Sequence, residues 1–350
     1  MKKEQIVKHI KAVSLRKRRF QAGDVLSLIE GTVSRQYVSN LLSEMVARGE
    51  LASSGSKRYT FYALPANADL LIDKETRVLI NHDLKEHLVY EDLFGKAEAA
   101  KRLNDNAASI INFAFSEMLN NAIEHSRSEK IKVTLYREKQ SLVFSVRDFG
   151  LGVFETIKSK YGLVNDLEAI QELLKGKATA APKAHSGEGI FFTSKAVDEF
   201  ILESFGSVLR VNNIIEDVFV ETRQRPLRGT NVTIKLNCNT RRHLNAVFQA
   251  YYSDPESYAF DKTVIFVKLF TMGTVYVSRS QARRLLQNIE KRFKVMVLDF
   301  DKVPTVGQAF ADEIFRVFAS RHPDITIQCI NMNDAVEFMV TRARSTAGLQ

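Results

Sequence analysis

Four polar side chains that could bind a metal-bound phosphate recur at helical spacing within residues 113–125. They are Glu117, Asn121, Glu124 and His125, and their spacing places them on one stripe of a predicted helix. A glutamate can polarise a water molecule, and an asparagine side-chain oxygen can ligate Mg²⁺. Taken alone, these residues would equally suit a solvated helix face, so the interpretation depends on the residues that come after them.

The elements around this stripe must pack it and supply further polar groups. The opposite stripe of the predicted helix is apolar and is expected to be buried; its members are Phe115, Met118, Leu119 and Ile123. Residues 131–137 and 141–147 alternate between apolar and polar side chains, which predicts two strands. The second of these strands runs directly into Asp148.

Two glycine-containing turns complete the pattern. Asp148 precedes Gly150 and Gly152, and an aspartate at the end of a strand can accept a hydrogen bond from the amino group of a base. Glycines there allow the backbone to approach a ligand closely. Gly187 and Gly189 precede another predicted helix, whose N-terminus would present backbone N–H groups to phosphate. The order and spacing of the three features favour a nucleotide site.

These motifs resemble those of the Bergerat-fold ATP-binding domain, which gyrase, mismatch-repair ATPases, histidine kinases and anti-sigma-factor kinases share. The resemblance covers residues 85–237 and implies a mostly antiparallel sheet with helices on one face. Its motifs are Glu-Met-Leu-Asn-Asn-Ala at 117–122, Asp-Phe-Gly-Leu-Gly at 148–152, Gly-Glu-Gly-Ile at 187–190 and Arg-Gly-Thr at 228–230. The chain lacks a phosphate-binding Gly-Lys-Ser/Thr loop and the other signatures of eukaryotic-type protein kinases.

The resemblance also implies roles for individual residues. Glu117 would orient the attacking water, and Asn121 would bind Mg²⁺. Asp148 would bind the adenine amino group, with Thr230 supporting that contact through water. The other nucleotide contacts would come from Gly150, Gly152, Gly187 and Gly189. His125 would either help to hold phosphate or pack at the end of the helix. Residues 175–186 would form a mobile lid over the nucleotide.

Composition restricts the class of protein. With 45% apolar and 26% charged residues, the chain is typical of globular proteins. No apolar run approaches the ~18–20 residues that a membrane span needs, and no signal-peptide pattern follows the basic N-terminus. Cys238 and Cys329 have no metal-site spacing and are expected to be core thiols in a reducing compartment. The expected location is the cytoplasm, without membrane contact.

The N-terminal segment carries most of the net charge of +9. Residues 1–65 hold twelve Lys and Arg residues against five Asp and Glu residues, a surplus of seven that indicates an anionic partner. Helices are predicted at 3–13, at 22–30 and after a Ser34 cap, followed by a hairpin at 51–62.

This arrangement resembles a winged helix-turn-helix domain, whose third helix enters the major groove of DNA. By that resemblance, Arg35, Gln36, Tyr37 and Asn40 would face the bases. Lys57 and Arg58, on the hairpin tip, would contact phosphates. A winged helix that docks a protein instead of double-stranded DNA is the alternative.

The C-terminal segment alternates strands and helices from residue 260, which predicts a parallel or mixed sheet. Residues 298–314 resemble the STAS-like fold of anti-sigma-factor antagonists. Those antagonists carry a phosphorylated serine before their second helix, whereas this stretch offers only Thr305. A small docking domain is therefore favoured over a phosphotransfer substrate, and a purely structural role is the alternative.

The predicted architecture is multidomain α+β. It comprises a winged helix at 1–65, a connector at 66–84, a Bergerat-fold domain at 85–240 and a STAS-like α/β domain at 258–346. The predicted function is that of a DNA-binding regulator in which ATP and Mg²⁺ control domain arrangement, with slow hydrolysis. The alternatives are a Ser/Thr kinase acting on a STAS-domain substrate, and an ATPase clamp that closes as a homodimer. A protein partner could bind through the STAS-like domain.

Overall fold

The computed structural model describes residues 3–29, 33–54, 60–71, 74–101, 103–178, 187–254, 256, 259–271 and 278–346. The chain divides into two compact units, one formed by residues 1–75 with 135–139 and the other by residues 76–134 with 140–350. Within the described residues, no helix is both long enough and apolar enough to cross a membrane.

Within its described residues, the N-terminal unit contains three α-helices, a small sheet and the 3-10 helix Pro65–Leu71. Its elements are α1 Lys3–Arg16, β1 Phe20–Gln21, α2 Ala22–Leu26, α3 Arg35–Ala47, β2 Ala52–Ser54 and β3 Phe61–Ala63. The strands are ordered β1-β3-β2, and β3 pairs antiparallel with both neighbours. The predicted helices and hairpin strands are present, but α2 ends at Leu26, before the predicted end at residue 30.

Helix α3 presents one buried and one exposed face. Its buried side chains join those of α1 in an apolar core; Ile6, Ile10, Val38, Leu41 and Leu42 belong to it. Ser34 caps α3 as predicted, because its hydroxyl oxygen accepts a hydrogen bond from the Tyr37 N–H at 3.2 Å. The exposed side chains near the helix start include Arg35, Gln36, Tyr37 and Asn40. Lys57 and Arg58 of the predicted hairpin tip lie outside the described residues.

A five-stranded sheet organises the first part of the second unit. Its strands are β4 Glu75–Ile80, β5 Lys130–Glu138, β6 Ser141–Asp148, β7 Glu199–Asn212 and β8 Asp217–Asn237, in the order β4-β5-β6-β8-β7. Strand β8 pairs antiparallel with β6 and β7. Strand β4 lies in the segment predicted as a connector, so the sheet begins before residue 85.

Two predicted strand breaks are absent. The sequence pattern predicts separate strands at 200–206, 208–214, 216–223 and 230–236. In the structure the first two form the single strand β7 and the last two form β8. The pairing register shifts between Ser204 and Ser207, where the β8 partners change from Thr230 to Leu227 and then to Thr222, so the ladder is irregular at this point. Long-range pairing with the neighbouring strand thus overrides the local glycine signal.

Helices cover the sheet and carry the polar stripe. They are α4 Glu86–Lys96, α5 Asp105–His125, α6 Val153–Tyr161, α7 Asp166–Lys175, α8 Gly189–Ala196 and α9 Leu244–Gln249. Phe115 of α5 packs edge-on against Phe144 of β6, with ring centroids 5.6 Å apart. The predicted apolar stripe is buried at Phe115, Met118 and Leu119 but only half-buried at Ile123.

The C-terminal domain, which comprises Lys262–Thr346, has a parallel sheet, as predicted. Its elements are β9 Lys262–Phe266, α10 Lys268–Thr271, α11 Arg279–Leu286, β10 Val295–Asp299, α12 Gln308–Asp312, a π-helical turn Glu313–Phe318, α13 Ala319–Arg321, β11 Thr326–Ile330 and α14 Asp334–Thr346. The strands are ordered β11-β10-β9. The sequence pattern predicts a helix at 280–293, but α11 ends at Leu286. Thr305 is exposed in the loop before α12.

Candidate functional site

A cavity of about 340 Å³ lies where α5, the end of β6, the start of α8 and strand β8 meet. Its lining includes predicted site residues from every motif; they are Glu117, Asn121, His125, Asp148, Gly152, Gly187, Gly189 and Thr230. The side chains come from segments more than a hundred residues apart in sequence, and the sheet register brings them together. Arg147 lies opposite Asn231, which places Asp148 beside Thr230.

The polar stripe of α5 faces this cavity. Glu117, Asn121 and His125 are half-buried, Glu124 is exposed, and all four line the cavity. A helix face turned only to bulk water would leave all of them exposed. The structure therefore favours a site over the solvated-face alternative.

The start of α8 lies against the Glu117 carboxylate. A Cβ atom at Gly189 would overlap Oε2 of Glu117, so a larger residue here would displace the Glu117 carboxylate. Gly187 has a φ of +74°, a left-handed backbone conformation that favours glycine. Both glycines line the cavity, together with the intervening Glu188. At the two glycines, backbone atoms border the cavity where larger residues would place side chains.

Asp148 is the most deeply buried acidic group of the cavity, with 5% of its surface exposed. Its Oδ1 atom accepts hydrogen bonds from the Gly150 N–H at 2.9 Å and from the Thr230 N–H at 3.1 Å. Burial raises the pKa of the Asp148 carboxyl above its ordinary value, although these two donors act in the opposite direction. Two backbone donors therefore orient a carboxylate that burial makes costly to ionise.

Glycines let three chain segments converge on Asp148. A Cβ at Gly229, which has a φ of +82°, would lie 2.6 Å from Asp148 Oδ1. A Cβ at Gly152 would lie 2.6 Å from the Ser204 hydroxyl oxygen. Gly150 packs on the backbone of Ser126 at the end of α5 and is not among the cavity-lining residues. Gly150 therefore serves the site through its N–H bond to Asp148.

Thr230 connects the aspartate to the next helix. Its N–H donates to Asp148, and its hydroxyl oxygen accepts a hydrogen bond from the Val153 N–H at 3.0 Å. Val153 is the first residue of α6. Thr230 therefore fixes both the carboxylate and the turn that follows it, and its contact with adenine through water stays a prediction.

Sequence reasoning missed the apolar wall of the cavity. That wall comes largely from α6, α7 and the segment after α7; its members include Val153, Ile157, Leu173 and Ala178. The apolar positions of the two helices were the available signal. They resembled ordinary core positions, because nothing in their spacing distinguishes a ligand-facing apolar residue from a packed one.

The predicted lid, residues 175–186, is only partly described. Lys175 is the last residue of α7 and is buried, so the lid prediction is wrong at this residue. Ala178 lines the cavity. Residues 179–186, including His185, lie outside the described residues.

The oxygen donors of α5 suit Mg²⁺ held jointly with a phosphate ligand. Within the described residues, no group of three or more His, Cys, Asp or Glu side chains could hold a metal ion alone. Mg²⁺ is commonly held by one or two protein oxygens together with substrate phosphates and water. Asn121 supplies such an oxygen in the cavity, near the glycine turn, which fits a nucleotide-bound cation and not a closed protein cage.

Comparison with known families assigns two regions of the chain. Residues 90–212 match the model of the histidine kinase-like ATPase domain. Residues 281–337 match the model of a STAS-like domain of unknown function. Comparison with curated proteins gave no match. The first match spans α5, the Asp148 turn and the Gly187–Gly189 turn, so most of the cavity lining lies in a region that is similar to histidine kinase-like ATPase domains, and a region similar to STAS-like domains follows it.

Proposed function

We propose that this protein binds ATP with Mg²⁺ in the α5–β8 cavity and hydrolyses it slowly. The observation that carries the proposal is Asp148, whose Oδ1 is held by the Gly150 and Thr230 N–H groups at the cavity wall. The second carboxylate oxygen would accept a hydrogen bond from the adenine amino group. The apolar residues Val146 and Ile157 supply surfaces on which a base can lie.

The other end of the cavity has the chemistry that a triphosphate requires. The Gly187–Gly189 turn opens α8, and a helix N-terminus favours anions through its free N–H groups. Asn121 would hold Mg²⁺, which neutralises phosphate charge when it is bound. Glu117 would accept a proton from the attacking water. These roles together make slow hydrolysis the expected reaction.

Base discrimination tests the proposed adenine contact. Calorimetric titration of the full chain with Mg²⁺ is expected to give an affinity for GTP at least about tenfold weaker than for ATP. Guanine carries a carbonyl where adenine carries its amino group, so the Asp148 carboxylate would face an acceptor. Equal affinities would remove Asp148 from base recognition, and no binding of either nucleotide would remove the proposed function.

We further propose that the N-terminal unit binds double-stranded DNA. The charge surplus of residues 1–65 and the exposed polar start of α3 support this proposal. Arg35, Gln36, Tyr37 and Asn40 project from the first turns of α3, where a groove-inserted helix contacts bases. Gln36 Nε2 donates to Asn40 Oδ1 at 3.0 Å, so the two amides form one polar surface.

Two arginines at opposite ends of α3 provide a matched test of DNA binding. With the full chain and a random duplex pool, Arg35→Ala is expected to lose selectivity at one base position, a loss of about 1–3 kcal/mol. Arg48→Ala removes the same charge at the C-terminal end of α3, where Arg48 pairs with Glu50 at 3.2 Å, and is expected to retain the wild-type sequence preference. No duplex binding by wild type at low salt would favour the protein-docking alternative.

A further inference from the structure

The C-terminal domain holds the end of α7 through a buried ionic network. Glu172 and Lys175, each with 3% of the side chain exposed, form an ion pair at 3.1 Å. Arg292 of the C-terminal domain donates to the other Glu172 oxygen at 2.6 Å. Burial of charges is unfavourable unless they are paired, so Arg292 and Lys175 both contribute to keeping Glu172 in place.

The same domain also holds Lys175 by its side chain and its backbone. The ammonium donates to the carbonyl oxygens of Arg284 at 3.0 Å and Gln287 at 3.2 Å. The Thr263 hydroxyl of β9 donates to the Lys175 carbonyl at 2.7 Å. The position of residue 175 is therefore set by partners that lie about a hundred residues further along the chain.

The segment that these contacts hold forms part of the cavity wall. Leu173 and Ala178, on either side of the held residue, line the nucleotide cavity. Between them, Gly176 has a φ of +88°, and a Cβ there would lie 2.5 Å from the Phe260 ring. Lys177 donates to the Arg292 carbonyl at 3.2 Å. The cavity wall and the C-terminal domain thus share one short, tightly packed segment.

We propose that Arg292 is a positioning residue for the nucleotide site, acting through Glu172 and Lys175 on the wall formed by Leu173 and Ala178. The inference rests on the proposed nucleotide function. The segment of Leu173 and Ala178 belongs both to the nucleotide cavity and to the contact with the C-terminal domain. Nucleotide affinity and docking of the C-terminal domain are therefore linked, and the linkage is reciprocal. The C-terminal domain is then part of the nucleotide-binding apparatus and not an independent module.

Substitution of Arg292 tests this role in the full chain. Arg292→Ala is expected to weaken the calorimetric affinity for ATP with Mg²⁺ at least about fivefold, and Arg292→Lys should recover part of the loss. Arg283→Ala is the matched control, because Arg283 pairs with Glu313 at 2.8 Å inside the C-terminal domain. That control is expected to stay within about twofold of wild type.

Hydrogen exchange distinguishes positioning from a general loss of stability. ATP is expected to slow amide exchange in β9 of wild type and of Arg283→Ala, but not in Arg292→Ala at saturating ATP. If Arg292→Ala does not fold, Glu172→Gln provides the second test, since it keeps the side-chain shape and removes the charge that Arg292 binds. That variant should also lose affinity and the β9 response.

The outcomes distinguish failure of the positioning role of Arg292 from failure of the proposed nucleotide binding. A folded Arg292→Ala protein with wild-type ATP affinity, or a β9 that does not respond to ATP in wild type, would overturn the positioning role while leaving the nucleotide site intact. Absence of ATP binding by wild type would overturn the proposed function itself. Reduced affinity together with a lost β9 response would support the linkage.

Discussion

Glu117→Ala is expected to lower the rate of ATP hydrolysis by roughly 10²–10⁴-fold while leaving a folded protein that still binds ATP. The carboxylate lies against Gly189, at the turn proposed to hold the phosphates, so it is placed to accept a proton from the attacking water. Most of the binding contacts come from other groups, chiefly Asp148 and the glycine turn. The measurement is steady-state phosphate release at saturating ATP and Mg²⁺, with affinity measured separately.

The control for this prediction removes an acidic side chain outside the cavity. Glu91→Ala on α4 carries the same charge change at an exposed position and should retain wild-type turnover. Wild-type turnover in Glu117→Ala would show that Glu117 is not the base. Transfer of labelled phosphate from ATP to the protein, with no release into solution, would favour the kinase alternative.

Asp148→Asn is expected to weaken ATP binding by about 1.5–3 kcal/mol without destabilising the nucleotide-free protein. The asparagine oxygen can still accept from the Gly150 and Thr230 N–H groups, so the turn keeps its hydrogen bonds. The asparagine amide, however, presents a donor to the adenine amino group. Because burial disfavours the ionised carboxyl, removal of its charge should leave thermal stability at pH 7 equal to or above that of wild type.

The pH dependence of ATP affinity in wild type and in Asp148→Asn gives a second readout. Burial raises the pKa of Asp148 in the free protein, and nucleotide binding to the carboxylate would lower it. Affinity should therefore be constant well above the free-protein pKa and fall as pH decreases through it. Asp148→Asn should lack this decrease in affinity at low pH. Asp105→Asn, an exposed change at the start of α5, should retain it. Identical pH profiles for wild type and Asp148→Asn would contradict the assignment.

The parts of the site that sequence could predict are those with short-range signals. The α5 stripe follows from helical periodicity, and the two glycine turns follow from composition and order. The cavity brings these together, since residues from α5 and from both glycine turns line it. Position within one element and the chemistry of one turn are properties that neighbouring residues determine.

The parts that sequence could not predict depend on distant partners. Lys175 resembles a solvent-exposed lid residue, yet it is buried because Glu172 and two carbonyl groups from the C-terminal domain receive its ammonium. Gly206 resembles a strand break, yet β7 continues through it because β8 pairs with β7 on both sides of this residue. In both cases the deciding contact comes from a segment that the local pattern does not contain.

A structure of the full chain with a non-hydrolysable ATP analogue and Mg²⁺ tests the central claim most directly. The decisive quantity is the distance between the adenine amino nitrogen and the nearer carboxylate oxygen of Asp148. We expect about 2.7–3.2 Å, with the phosphates at the Gly187 and Gly189 N–H groups. An adenine ring bound elsewhere, or one whose amino group lies beyond hydrogen-bond and single-water range of Asp148, would contradict the account.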